Sequence, residues 1–132
     1  MATTKNIKQY SDIDLSFSIN PFTKDIYLKT DEDAVKTAVK HLIQTKNFER
    51  HFHPEIGTQI HSLMFEHFSS AVKIAMERTI KETIEKFEPR VRLVDVTIIE
   101  TPDANDLEVN IDFTLKNTDR PVTITTLLSR VR

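Results

Sequence analysis

The chain is predicted to be α+β, with about three helices packed on one face of an antiparallel or mixed β-sheet. Two observations carry this. Helical periodicity is confined to the middle of the chain, where Val72, Met76, Ile80, Ile84 and Phe87 recur every three or four residues. Two-residue alternation dominates the end, where Leu107, Val109, Ile111, Phe113 and Leu115 interleave with polar residues. Helices and strands segregated along a chain argue for this class rather than for repeated βαβ units.

Residues 1–11 are polar and form a flexible leading segment ahead of a single domain spanning 12–132. From Ile13 the chain alternates, with Ile13, Leu15, Phe17 and Ile19 on one side and Asp12, Asp14, Ser16 and Ser18 on the other. That pattern predicts a half-buried strand with its apolar side inward. Asn20-Pro21-Phe22-Thr23 is a turn, and Ile26 and Leu28 begin a second extended piece. Thr30 and Asp33 open the first helix, which buries Ala34, Val35, Ala38, Val39, Leu42 and Ile43 and frays near Thr45–Asn47. An irregular connection through Pro54 leads to Gly57, the only glycine, placed where the backbone needs an angle other residues resist. Ile60, Leu63, Met64 and Phe68 predict a short second helix. Ser69 or Ser70 caps the third, whose outer face offers Glu77 to Lys81 and Glu82 to Lys86.

That helix stops at Glu88-Pro89-Arg90, because proline fixes its own φ and disfavours helical geometry in the residue before it. Val91–Glu100 and the alternating run from Leu107 form a hairpin across the turn Thr101–Asp106, and Val122–Leu128 adds a last strand. This terminal strand either closes the sheet internally or leaves an edge for another subunit; Asp12–Ile19 offers the same choice.

Composition narrows the chemistry. Eighteen Lys+Arg against 20 Asp+Glu leave a net charge of −2 with no basic block, so nucleic acid is not an expected partner. No apolar run is long enough to span a membrane, and the N-terminus lacks the apolar centre of a signal peptide. Cysteine is absent, which removes disulfides, thiol nucleophiles and thiolate metal sites. With one glycine there is no glycine-rich phosphate loop, and no cofactor is expected. His41, His51, His53, His61 and His67 carry no compact zinc-ligand motif, so no metal site is expected. Glu55, Glu66 and Glu88 are the carboxylates a glycoside hydrolase would use. Yet among 20 acids some pair at suitable separation is inevitable, and Tyr10 and Tyr27 are poor substitutes for tryptophan sugar platforms. No serine sits in a glycine-flanked elbow, and no catalytic residue is assigned.

Four stretches, read in order, resemble the baseplate wedge subunit, or sheath initiator, family of contractile-tailed phages. That family is shared with the type VI secretion baseplate and also carries a lysozyme-like label. The stretches are Asp12–Phe17 with Asn20-Pro21 and Thr23–Ile26, where glycine is expected in place of Lys24; Phe52–Gly57 leading into Leu63–Glu66; Phe87–Arg90; and the closing hairpin. The resemblance implies a structural, non-enzymatic virion protein of the tail baseplate, assembled in the host cytoplasm. It implies six copies around the tail axis, contacts with other wedge proteins and with sheath and tube-proximal proteins, and a sheet edge on which the sheath starts. Glu88, Pro89 and Arg90 would make the wedge contact, so losing Arg90 is expected to leave the fold intact and block incorporation. The alternatives are a small lysozyme-like hydrolase, a type VI secretion component and an adaptor unrelated to tails.

Overall fold

The computed structural model describes residues 9–102 and 105–130. The expected flexible segment therefore lies largely outside the described residues, as do two positions of the Thr101–Asp106 turn. A two-stranded antiparallel ribbon, β1 (Ser11–Ile13) and β2 (Leu28–Thr30), precedes α1 (Asp31–Gln44), α2 (Ile60–Leu63) and α3 (Ser70–Phe87). β3 (Val91–Glu100), β4 (Asp106–Leu115) and β5 (Pro121–Ser129) follow as an antiparallel sheet of order β3-β4-β5. The α+β expectation, with helices on one face, holds.

β4 is the central strand, and its alternation is complete: Leu107, Val109, Ile111, Phe113 and Leu115 are buried while the residues between them are half-covered. Their inward side chains meet Met76, Ile80 and Ile84 of α3 and Val35, Val39 and Ile43 of α1 in one continuous core. At about 25 cal/mol per Å² of apolar surface removed from water, this burial is the main force holding helices to sheet. Ser69 caps α3 by accepting from Val72 N at 3.3 Å. Thr30 occupies the N-cap of α1, but its side chain makes no capping bond; Asp31, Glu32 and Asp33 supply the favourable first-turn charge instead.

Two expectations fail. β1 ends at Ile13, and the apolar side of the 13–19 alternation faces out: Ile13, Leu15, Phe17 and Ile19 are 50–66% exposed. Asp12 and Asp14 are the better covered residues, drawn inward by Arg90 and Lys29. The ion pairs within α3 also differ. Glu77 takes Lys73, Glu82 takes Arg78, and Lys81 reaches across to Asp95 on β3.

The loop after α1 is pinned at Gly57. Its φ of +137° lies where L-residues rarely sit, and an added Cβ would stand 2.7 Å from the Lys46 carbonyl oxygen. That close approach lets Thr58 N donate to Thr45 O at 2.9 Å and Thr58 Oγ1 donate to Ile43 O at 3.0 Å. Phe48 N donates to Pro54 O at 2.9 Å, closing the loop.

Candidate partner-docking site

α3 ends as proline chemistry requires. Glu88 N still donates to Ile84 O (2.9 Å), but its φ,ψ of −122°, 84° have left the helix. Pro89 is exposed at the turn, and Arg90 O accepts from Lys116 N (3.1 Å), seating the corner against the end of β4. Across this corner Glu88 and Arg90 form a two-bond fork: Arg90 Nε to Glu88 Oε1 at 2.7 Å and Nη2 to Oε2 at 2.9 Å. Glu88 is only 6% exposed, so the fork neutralises a charge withdrawn from water.

The third guanidinium nitrogen looks the other way. Arg90 Nη1 donates to Asp12 Oδ2 and Oδ1 at 3.2 and 3.3 Å, and the Arg90 guanidinium lies 5.6 Å from the Tyr10 ring centroid. The Glu88 hydrogen bonds, opposed by partial burial and helped by Asp12, push the guanidinium further above its already high ordinary value. Arg90 is therefore permanently charged and joins three segments of the chain.

Beside this corner runs an open groove of about 630 Å³, walled by Ile13, Leu15, Leu42, Ile56, Phe87 and the edge of Glu88. Further along the same segment Phe17 and Ile19 are also exposed, and Phe22, at 94% exposure, stands on the following turn. The turn itself is built on Asn20, whose Oδ1 accepts from Phe22 N (2.9 Å) and whose carbonyl accepts from Lys24 N (2.8 Å). Lys24 has φ of +56°, which is why glycine suits that position.

The carboxylates considered for hydrolysis do not converge on a catalytic arrangement. Glu55 is exposed, pairs with His53 Nδ1 at 3.2 Å, and is held below its ordinary range by a backbone N–H and by His53. A general acid needs the opposite shift. Glu66 is exposed, and Glu88 is committed to Arg90. Among the described residues no three His, Asp or Glu side chains come together as a metal site. His61 Nε2 donates to Gln44 O (3.2 Å), and among the described residues no helix is long and apolar enough to cross a membrane.

Residues 29–120 match the family of the baseplate wedge protein gp25. The chain belongs to that family. It is 29% identical over 108 residues to the baseplate wedge protein gp25 of Enterobacteria phage T4, covering 82% of this chain and 81% of the relative. Solved structures share the fold. A Geobacter sulfurreducens protein described as a tail lysozyme superposes with a TM-score of 0.74 at 21% identity, over 81% of this chain and 97% of that one. A chain of the anti-feeding prophage baseplate gives 0.65 at 20% identity, over 93% and 88%. One from a type VI secretion baseplate complex gives 0.61 at 13%, over 74% and 92%. The match reaches from β2 into the loop before β5 and includes the Glu-Pro-Arg corner, whereas Asp12, Arg90's second partner, lies before it.

Proposed function

We propose that this chain is a structural subunit of a contractile phage tail baseplate, without enzymatic activity. It docks to neighbouring wedge proteins through the Glu-Pro-Arg corner and the adjoining N-terminal arm, and starts the sheath by pairing along a sheet edge. The observation that carries the docking reading is the inverted 13–19 arm: four apolar side chains face water in one short run, and two of them, Ile13 and Leu15, line the groove beside the corner. The fork of Glu88 and Arg90 is the rigid base of that surface, because it fixes the arm through Asp12 rather than leaving it loose.

The sheet-edge part selects β5. On β3 the outer edge is already engaged by α3, with Glu77 Oε1 accepting from Ile98 N (3.3 Å), and a bulge between Leu93 and Asp95 breaks its regularity. β5 pairs with β4 along its whole length, and among the described residues no other element bonds to its far side. Six copies around the tail axis suit a fold that also occurs in a 6-fold symmetrised baseplate, that of the anti-feeding prophage.

The experiment is reconstitution of baseplates with a Leu15→Asp, Phe17→Ser variant, read by co-sedimentation and electron microscopy. Both positions are exposed, so the chain is expected to fold and fail to incorporate. Normal incorporation would remove the arm from the docking surface. A muropeptide-release assay on the purified chain tests the enzymatic alternative; activity abolished by Glu55→Gln would overturn the structural reading.

A further inference from the structure

At the far end of the sheet from the Glu-Pro-Arg corner, Arg130 follows directly on β5. Its Nε and Nη2 are buried with no hydrogen-bond partner among the described residues. This edge of a guanidinium is the one that takes a carboxylate through two parallel bonds. The chain itself shows the arrangement satisfied: in Arg90, Nε and Nη2 hold the two oxygens of Glu88 at 2.7 and 2.9 Å. In Arg130 the equivalent edge is withdrawn from water and holds nothing among the described residues. Leaving such donors unpaired costs stability in the free chain, and a group kept at that cost is expected to meet an acceptor elsewhere.

The surroundings suit an anion. Arg130 lines a pocket of about 210 Å³ with Lys46, His61, Met64, Phe65 and Ser129. Lys46 and Arg130 form no ion pair among the described residues, so two cationic side chains share the pocket uncompensated. Glu49, the acid on the same loop, is turned to the backbone, its Oε2 accepting from Lys46 N at 2.8 Å. His61 is oriented by donating Nε2–H to the Gln44 carbonyl, leaving Nδ1 as its second polar atom. Met64 is buried and Phe65 is 72% exposed, giving one fixed and one open apolar wall for the methylene stem of an acidic side chain.

We infer that the pocket of Lys46, His61 and Arg130 is a carboxylate-binding site, in which an acidic residue of a neighbouring polypeptide is met by the Nε/Nη2 edge of Arg130 once the side chain turns that buried edge into the pocket. Seen from the chain, it is a second anchoring point, separate from the Glu-Pro-Arg corner and formed by the loop after α1, α2 and the end of β5. That the carboxylate belongs to another baseplate polypeptide rests on the function proposed above. The existence of the site does not, and its test uses the isolated full chain.

Four probes are titrated into isotope-labelled protein while the Arg130 Nε–H resonance and the Lys46, His61 and Ser129 amides are followed. They are acetyl-Ala-Glu-Ala-amide, its glutamine counterpart, acetyl-Ala-Ala-Ala with a free C-terminal carboxylate, and inorganic phosphate. Saturable shifts are expected with at least one carboxylate peptide and none with glutamine. The stronger of the two carboxylate probes tells whether a side chain or a chain end is taken. In Arg130→Met the affinity falls at least tenfold while the melting temperature stays equal or rises, because an unpaired buried charge has been removed. No saturable shift with either carboxylate peptide overturns the inference. So does saturation by phosphate alone, or a lower melting temperature in Arg130→Met, which would make Arg130 a residue of the fold.

Discussion

Arg90 Nη1 lies 3.2 Å from Asp12 Oδ2, joining the corner after α3 to a strand 78 positions earlier in the chain. Since the same guanidinium holds Glu88 through its other two nitrogens, the N-terminal arm and the helix end are oriented by one side chain. The corner is thus a structural joint before it is a contact surface, and its mutational behaviour follows from that.

Arg90→Ala is expected to destabilise the isolated chain by about 3–5 kcal/mol, since it strands the buried Glu88 carboxylate. The sequence alone suggests that this change spares the fold; the burial of Glu88 reverses that expectation. Asp12→Ala removes a partner whose side chain is 42% exposed, and costs about 0–1 kcal/mol. Glu88→Gln with Arg90→Met leaves no lone buried charge and is expected to cost less than Arg90→Ala alone. Urea unfolding of the three variants checks the order, and the double variant is the one to carry into assembly assays.

Gly57→Ala is expected to be among the most damaging small substitutions. It places a Cβ 2.7 Å from a backbone oxygen at φ of +137°, and neither Lys46 O nor the loop can yield without losing the Thr58 bonds. Strain of this kind costs about 1–3 kcal/mol before the clash is counted. Thermal unfolding measures it; a change under about 0.5 kcal/mol would mean the loop is free to rearrange.

Lys24→Gly should act in the opposite direction. Lys24 sits at φ of +56°, which costs a side chain roughly 1–2 kcal/mol that glycine avoids, partly offset by glycine's greater unfolded freedom. A net gain of about 0.5–1 kcal/mol is expected in the local stability of the 20–25 turn. Slower exchange of the Lys24 amide, which donates to Asn20 O at 2.8 Å, reports it.

What could be read from the sequence divides along a physical line. Periodicity identifies elements, and it identified β4 and α3 with their buried residues because each needs only its own side chains to be recognised. Alternation in 13–19 names two faces without saying which is inside, and here Arg90 and Lys29 reverse the hydrophobic expectation by claiming Asp12 and Asp14. The helix pair Glu77 and Lys81 was likewise lost: Glu77 is taken by Lys73 one turn earlier and by Ile98 N of β3, and Lys81 by Asp95 of β3. Glu88, Pro89 and Arg90 stand out because proline marks the helix end. Lys46, His61 and Arg130 do not, because three distant segments bring them together and none carries a motif.

Acid should loosen the arm before it unfolds the core. The Ser16 N–H bond at 3.0 Å, helped by Lys29 and opposed by slight desolvation, holds the Asp14 carboxyl below its ordinary value of 3.8. A carboxyl depressed in the folded state binds its proton less readily there than in the unfolded chain. Its contribution is therefore complete above the unfolded value and is lost as pH falls through the folded one. The stability difference between the native chain and Asp14→Asn is expected to be constant from neutral pH to about pH 5, to shrink as pH falls below 3.8, and to vanish only below the depressed folded value. A difference that persists at the acid end would place the Asp14 contribution in packing rather than charge.

Leu127→Lys addresses the edge of β5. Leu127 is 58% exposed on the sheet face that carries no helix, opposite Glu108 of β4, so a lysine there is tolerated by the fold and can pair across the strands. Lysines on edge strands oppose strand addition, because an incoming strand must desolvate the ammonium or be displaced by it. The variant is expected to keep its unfolding free energy within about 1 kcal/mol of the native chain, to enter baseplates, and to fail in starting the sheath. A matched Ile99→Lys change on β3, whose edge α3 already engages, is expected to leave sheath assembly intact. Equal loss from both changes would show that sheath assembly depends on the exposed sheet face rather than on the β5 edge.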